Sequence, residues 1–216
     1  MKTLFKVLLC SLALMVTCQM ADAQSTNKEL KKDLKSKVEK DCRKTAKSLV
    51  KEGWKIMPGK LPLERQIQDS RYAELDQDKN GERLYITATH QAVGGNYSAA
   101  KKIADDRAHM ELAANISSTL SEMVKGKLSN TNYGENDIEL IDEFISSNKN
   151  LVSVRLQSIF PVLEIYREKD NGAYEVRVMV KVNAADALKA AKHAYREELY
   201  KKSEDLAKEL DAVLPY

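Results

Sequence analysis

The sequence predicts an α+β fold: a three-stranded, mainly antiparallel sheet covered by helices, with extra long helices at the N- and C-termini. Three segments alternate apolar and polar residues, which is the period of a β-strand. Longer segments around them repeat apolar residues at helical spacing. Three strands covered by helices fit an α+β arrangement. We expect the strands to form a meander with helices on one face.

The chain starts with the features of a cleavable secretory signal peptide at residues 1–23. Two lysines precede an apolar run at residues 7–16, which is too short to span a bilayer. Ala21 and Ala23 then supply the small residues that signal peptidase recognises. The sequence therefore predicts cleavage between Ala23 and Gln24. It also predicts export to the periplasm or to an outer-membrane-associated site, with no transmembrane segment in the mature chain.

Cys18 leaves lipidation open as an alternative, because a lipoprotein signal places a lipidated cysteine just after the apolar run. Thr17 occupies the preceding position, where a small residue is usual. A lipid on Cys18 would tether the chain to a membrane, whereas cleavage after Ala23 leaves it soluble. In that second case Cys42 is the only cysteine of the mature chain, so no internal disulfide forms.

The net charge of the chain does not favour nucleic-acid binding. The full chain has a formal net charge of +3, and removal of residues 1–23 leaves it near neutral. The mature length suits one domain with flanking helices.

The segment 24–53 is predicted to be a basic amphipathic helix. Thr26 and Glu29 match a capping box, and Gly53 is a natural stop. An apolar stripe runs along one side: Leu30, Leu34, Val38, Cys42, Ala46 and Leu49. The basic face could make peripheral contact with an anionic lipid or cell-wall surface, and a solvated helix face is the alternative.

Residues 54–182 are predicted to form the α+β core domain. Its predicted elements are a helix at 63–75, a strand at 83–93, a helix at 98–128, a helix at 137–147, and strands at 158–167 and 173–182. Asn171 and Gly172 join the last two strands as a hairpin. Ile103 and Met110 are assigned to the apolar side of the long helix. Trp54 is expected to plug the space between the N-terminal helix and the body.

The segment 183–216 is predicted to be a single C-terminal helix that runs to about Val213, with a cap near Asn183. Leu188, Tyr195 and Leu210 belong to its apolar stripe. The two terminal helices, 24–53 and 183–216, offer a surface through which a second copy could associate.

Three segments of the core resemble a known family. They are the strand end Ala92-Val93-Gly94-Gly95, the Ala-rich helix from Ala99 to Leu120, and the strand Tyr174-Glu175-Val176-Arg177-Val178-Met179-Val180. This pattern resembles the small exported lipoproteins typified by the twenty-kilodalton outer-membrane lipoprotein of gastric Helicobacter. It is also similar to the related amino-terminal module of a flagellar assembly protein. The resemblance covers residues 83–182 and implies an α+β fold at the cell envelope. It implies a non-enzymatic or unknown role and carries over no catalytic residue.

A local motif matches the opening of a calcium loop. Asp76, Asp78 and Asn80 place oxygen ligands at alternate positions, and Gly81 permits the tight turn. The twelfth position, which should supply a bidentate Glu, is Thr87. A polar turn between a helix and a strand is the alternative, because Asp, Asn and Gly favour turns for local reasons.

The sequence contains no recognisable catalytic or phosphate-binding motif. His90, His109 and His193 are not at metal-ligand spacing, and Gly94-Gly95 lacks a phosphate-binding motif. No cofactor is predicted. The leading hypothesis is an exported cell-envelope protein with a non-enzymatic binding, scaffolding or assembly role. Its expected partner is an envelope macromolecule and not nucleic acid. The alternatives are a hydrolase-type enzyme whose site is assembled from distant residues, and a calcium-dependent binding module.

Overall fold

The computed structural model describes residues 36–128 and 135–214. The chain divides into two compact units, Met1–Thr45 and Ala46–Tyr216. The predicted cleavage residues Ala23 and Gln24 and the lipidation candidate Cys18 lie outside the described residues.

The first helix, α1, lies inside the predicted N-terminal helix. The described residues of the first unit, 36–45, are helical, and residues 46–51 of the second unit are helical too. The helix ends in a Schellman motif, in which Gly53 N donates to Val50 O and Trp54 N donates to Leu49 O. Gly53 supports this turn with φ of 86°, a conformation that residues with a Cβ rarely adopt.

The second unit contains the remaining elements in the predicted order, with one additional short helix, α5 (Asn150–Arg155), and with the predicted C-terminal helix divided into two. The α+β class is confirmed. The elements are α2 Leu63–Leu75, β1 Tyr85–Gly94, α3 Tyr97–Leu128, α4 Glu135–Ser147, α5 Asn150–Arg155, β2 Phe160–Glu168, β3 Tyr174–Asn183, α6 Ala184–Lys202 and α7 Glu204–Val213. Among the described residues, no helix combines the length and the apolar character that crossing a bilayer requires.

The sheet is antiparallel, but its strand order is β1-β3-β2, so the predicted meander is wrong. After β1 the chain leaves the sheet through α3, α4 and α5 and returns at the far edge as β2. The hairpin at Gly172 then brings β3 back between its two neighbours. In the resulting register Ala88 lies opposite Val180, and Leu163 lies opposite Met179.

The main core lies between α3 and one face of the sheet. The even-numbered residues of β3 from Val176 to Val182 are buried there. On α3 the buried side begins with Ala100, Ala104 and Ala108, each 0% exposed, whose small side chains allow close packing. The assignment of Ile103 and Met110 to the buried side is wrong, since they are 37% and 64% exposed.

The second face of the sheet is covered as well, so the expected one-sided arrangement is wrong. Met179 and Ile165 point away from the main core, yet they are 3% and 0% exposed. Helix α2 packs against β1 and β2, and Trp54 is buried near this face.

The C-terminal segment forms two helices where one was predicted. Ser203 is extended, with φ of −156° and ψ of 118°, and its Oγ accepts a hydrogen bond from Leu206 N. A serine at this position competes for the backbone and starts a new helix. The chain turns there, and α7 packs on α6. The stripe residues Leu188, Tyr195 and Leu210 are therefore buried in the main core of the same compact unit.

Candidate functional site

A groove of about 720 Å³ with a mixed polar and apolar lining lies where the start of β1, the middle of α3 and the start of α6 meet. This volume is in the range of ligand-binding clefts. The apolar part of its wall includes Ile86, Met123 and Leu188. Its polar side chains are Asp78, Glu82, Arg83, Tyr85, Thr87, Asn115, Ser118, Thr119, Glu122 and Asn183.

One wall of the groove is the turn that connects α2 to β1. Asp78 Oδ1 accepts backbone hydrogen bonds from Asn80 at 2.8 Å and from Glu82 at 2.9 Å. Gly81 has φ of 83°, which a residue with a Cβ rarely adopts, and Leu84 N closes the turn on Asp76 O. Hydrogen bonds within the turn therefore hold its conformation.

The opposite wall is fixed by side chains that bond to the backbone. The amide of Asn115 on α3 donates to Thr87 O on β1 at 3.0 Å. Thr119 Oγ1 donates to Asn115 O within α3. At the start of α6, Asn183 Oδ1 accepts a hydrogen bond from Asp186 N, and Ala184 N donates to Leu84 O. The groove is thus built on ordered elements.

The groove has an acidic character. Its wall contains the three acidic residues Asp78, Glu82 and Glu122 and one cation, Arg83. Opposite charges attract and like charges repel inside such a concave surface, so the groove favours neutral or cationic ligands over anions.

The calcium candidates Asp76, Asp78 and Asn80 lie in one turn, and hydrogen bonds within this turn occupy the Asp78 carboxylate. Asp78 Oδ1 accepts the two backbone hydrogen bonds from Asn80 and Glu82, and Asn80 Nδ2 donates to Asp78 Oδ2 at 3.3 Å. Both carboxylate oxygens of Asp78 are therefore used within the turn. This arrangement is the polar-turn alternative. In the described ranges 36–128 and 135–214, no three His, Cys, Asp or Glu side chains form a group that could hold a metal ion.

The three histidines have separate environments. His90 on β1 lies with Nδ1 3.6 Å from Glu111 Oε2 on α3. His109 is half-buried on α3. His193 lines a second groove, of about 640 Å³, between α5, β2 and α6.

A buried ionic centre around Glu164 was not predicted from the sequence. The Glu164 side chain is 7% exposed, and it accepts a hydrogen bond from the Tyr97 hydroxyl at 2.6 Å. Lys60 Nζ lies 3.2 Å and Lys101 Nζ 3.3 Å from its other oxygen. Burial alone would raise the pKa of Glu164, but the Tyr97 hydrogen bond and the two ammonium groups hold it below its ordinary value. Lys101 also pairs with Asp105.

A second polar network surrounds Trp54. The guanidinium groups of Arg167 and Arg177 lie 4.7 and 4.6 Å from the centroid of its ring. Glu175 joins the network, because it accepts hydrogen bonds from Arg167 and from Gln91, and Gln91 in turn accepts one from Arg177. Two cations of the sheet therefore lie against the ring of Trp54, which is 2% exposed.

These residues were missed for the same reason. Glu164, Tyr97 and Lys101 lie on β2 and α3, and no local motif connects them. The groove residues Asn115 and Asn183 also come from separate elements. One signal was present in the sequence: the edge strand β2 has a Glu at an inward-facing position, and a buried carboxylate requires partners.

The structure is therefore that of an α+β protein with a ligand-sized groove of mixed polar and apolar lining. Comparison of the sequence with protein-family models gives no match, and neither does comparison with curated proteins.

Proposed function

We propose that this chain is an exported cell-envelope protein that binds an envelope macromolecule at the groove and does no chemistry on it. The signal-peptide features of residues 1–23 support export. The resemblance to small exported lipoproteins supports an envelope location. The segments that carry this resemblance lie at the end of β1, in α3 and in β3, and these three elements pack on one another.

The ligand class follows from the mixture of groups in the groove, which is the observation that carries the proposal. Glycan hydroxyls both donate and accept hydrogen bonds, so they can pair with carboxylates, amides and hydroxyls such as those of Glu122, Asn115 and Ser118. The C–H faces of a sugar can pack on Ile86 and Met123. The acidic wall favours a neutral glycan over an anionic one.

Binding without turnover is favoured because the buried charged side chains are already used in the fold. Glu164 bonds to Tyr97, and Glu175 bonds to Arg167. Lys192 bonds to Leu214 O at 2.7 Å and pairs with Asp211 at 3.2 Å. Such pairs hold elements together, and none of these residues lines the groove.

Titration of neutral N-acetylglucosamine oligomers into ¹⁵N-labelled protein tests the proposal. Chemical shifts of Ile86, Asn115 and Met123 should move saturably, and an anionic polyuronate of equal length should bind more weakly. Ser118→Trp fills the groove and should abolish the shifts. Ser98→Trp places the same group on the exposed first turn of α3 and should leave them. Absence of saturable shifts would refute glycan binding, and cleavage of the oligomer would favour the hydrolase alternative.

Export has its own test. Mass spectrometry of the protein recovered from cell envelopes should show a chain that begins at Gln24. A diacylated chain that begins at Cys18 would contradict this cleavage and would establish a lipoprotein.

A further inference from the structure

The second groove, of about 640 Å³, lies between α5, the start of β2 and one side of α6. Its volume is in the range of ligand-binding clefts. It shares Asn183 with the groove proposed to bind glycans, and its other lining residues are its own. Phe160 lines this second groove and is 55% exposed. Glycan binding at the first groove therefore leaves this one without a role.

The charged side chains of the second groove lie at its two ends. Asp186, Ala190 and His193 line it from one face of α6. At 1.5 Å per residue, the seven steps from Asp186 to His193 span about 10 Å. Arg155 of α5 pairs with Glu197, one helical turn beyond His193, so the guanidinium lies at the His193 end. The groove therefore has an acidic end and a basic end about 10 Å apart.

Several polar groups of the second groove have no role within the fold. In the residues that the structure describes, the Asp186 carboxylate takes part in no ion pair or hydrogen bond. Over the same residues, the backbone N–H and C=O groups of Gln157 and Ser158 have no backbone partner. At the basic end, Glu197 bonds to one nitrogen of Arg155, and a guanidinium has five N–H donors. Donors and acceptors for a ligand are therefore present at both ends and on one wall.

The backbone at Ser158 is strained. Its φ is 57°, and Ser158 is the one residue other than glycine with a positive φ in the described ranges 36–128 and 135–214. Residues held in such conformations cluster at ligand-binding sites, where the surrounding structure maintains them. The strain at the wall of the second groove therefore favours a ligand there, independently of the charges.

We propose that the second groove binds a short linear peptide with free termini, about three residues long. A fully extended tripeptide spans about 10 Å, which matches the separation of the acidic and basic ends. The ammonium group of the peptide pairs with Asp186. Its carboxylate accepts hydrogen bonds from Arg155 and from the ring N–H of His193.

A peptide satisfies more of this groove than other ligand classes do. Its main chain supplies donors and acceptors for the backbone of Gln157 and Ser158, and an apolar middle side chain packs on Phe160. A neutral glycan brings no charge to either end. A polyamine or a polyanion pairs with one end and is repelled by the other. A single amino acid has both charges, but they lie too close together to reach both ends.

Titration of the peptide Ala-Leu-Ala into ¹⁵N-labelled protein tests the proposal. Shifts of Ser158, Asp186 and His193 should move saturably, while those of Ile86 and Asn115 in the first groove stay unchanged. Acetylation of the N-terminus and amidation of the C-terminus should each weaken binding about tenfold, because each removes a charge-assisted contact. Free alanine should bind more weakly than either capped peptide.

Two variants assign the termini. Asp186→Asn should abolish the preference for the free over the acetylated peptide and keep the preference for the carboxylate over the amide. Arg155→Gln should do the reverse. The controls are Asp205→Asn, in the first turn of α7, and Arg65→Gln, on the exposed side of α2, and both should keep both preferences. Circular dichroism should be unchanged in all four variants.

The proposal goes beyond glycan binding and does not depend on it, because the two titrations report on different residues. Absence of saturable shifts with Ala-Leu-Ala up to ~10 mM overturns it. Equal affinities for the free and the doubly capped peptide also overturn it, since the two charged ends would then play no part. So does an Asp186→Asn protein that still prefers the free N-terminus.

Discussion

The hydroxyl of Tyr97 donates a hydrogen bond to Glu164 Oε1 over 2.6 Å, and this contact joins the first turn of α3 to the edge strand β2. The same carboxylate lies within 3.3 Å of Lys60 and of Lys101, while its backbone N–H donates to Gln66. Four parts of the chain therefore meet at one buried charge: the loop before α2, α2, α3 and β2.

Replacement of Glu164 by Gln should lower the free energy of unfolding by about 1–3 kcal/mol, because it leaves two ammonium groups without their buried partner. The change keeps the shape of the side chain and an acceptor for Tyr97. Urea denaturation measures the loss. Glu168→Gln, at the exposed end of the same strand, is the matched control and should change stability by less than ~0.5 kcal/mol. Equal effects of the two variants would show that the Glu164 centre does not stabilise the fold.

Acid should lower the free energy of unfolding through protonation of Glu164. The pKa of Glu164 in the folded protein lies below its ordinary value, as does the pKa of Glu175, which is bonded to Arg167 and Gln91. A depressed folded pKa gives stability that is present above the unfolded pKa, about 4.3, and is lost as the pH falls through the folded pKa. Melting temperatures measured from pH 6 down to pH 3 should therefore fall less steeply in Glu164→Gln than in the parent. Parallel curves would contradict this prediction.

The centre of β3 should not tolerate a charge. Val178 is 0% exposed in the main core, so Val178→Asp would bury an unpaired carboxylate and should cost several kcal/mol. Thermal denaturation should show a large loss or an unfolded protein. Val154→Asp is the control, since Val154 is 84% exposed on α5 and should cost little. A Val178→Asp protein that melts within a degree of the parent would mean that Val178 is not buried.

The main elements could be predicted from the sequence because their patterns are local. The alternating valines of β3, the Asn171-Gly172 turn and the limits of α2 each depend on residues near one another in the chain. The strand order could not be predicted in this way. It depends on whether β1 pairs with β2 or with β3, and both pairings satisfy the same alternation.

The ends and sides of the helices show where local pattern reasoning fails. The helical spacing of apolar residues continues through Ser203, so the sequence pattern alone predicted one helix and not a cap at this residue. The structure shows that Ser203 caps α7. On α3, the apolar character of Ile103 and Met110 assigned them to the core, but the sheet packs against the alanines at 100, 104 and 108. The groove and the Glu164 centre each combine residues from several elements, which no spacing rule connects.

Calcium should not bind usefully at Asp76, Asp78 and Asn80. Asp78 already accepts hydrogen bonds from two backbone N–H groups and one side-chain amide, and the twelfth loop position is Thr87 instead of a bidentate Glu. Calorimetric titration with CaCl₂ should show no heat beyond dilution. A dissociation constant tighter than roughly 10⁻⁴ M that Asp78→Asn abolishes would contradict the prediction, because it reaches the range of functional extracellular sites.

The two adjacent glycines at the end of β1, Gly94 and Gly95, should differ sharply in their tolerance of alanine. A Cβ on Gly94 would lie 2.5 Å from Ala100 N and 2.9 Å from Ala100 Cα, which are backbone atoms of α3. Either β1 or α3 would have to move, and overpacking of this kind costs about 1–3 kcal/mol. A Cβ on Gly95 meets nothing within 4 Å. Gly94→Ala should therefore lower the denaturation midpoint clearly, while Gly95→Ala should stay near the parent.

The same pair of variants separates the close-approach role from a phosphate-binding role for these glycines. If Gly94 serves only to let α3 approach β1, the loss in Gly94→Ala should appear in urea denaturation without any ligand and should not change when inorganic phosphate is added. The backbone atom nearest to this Cβ position is the N of Ala100, the fourth residue of α3 and the first of its buried alanines. The contact therefore sets the distance between α3 and the sheet at the start of the main core. Equal stability of the two variants would show that β1 and α3 do not require this approach.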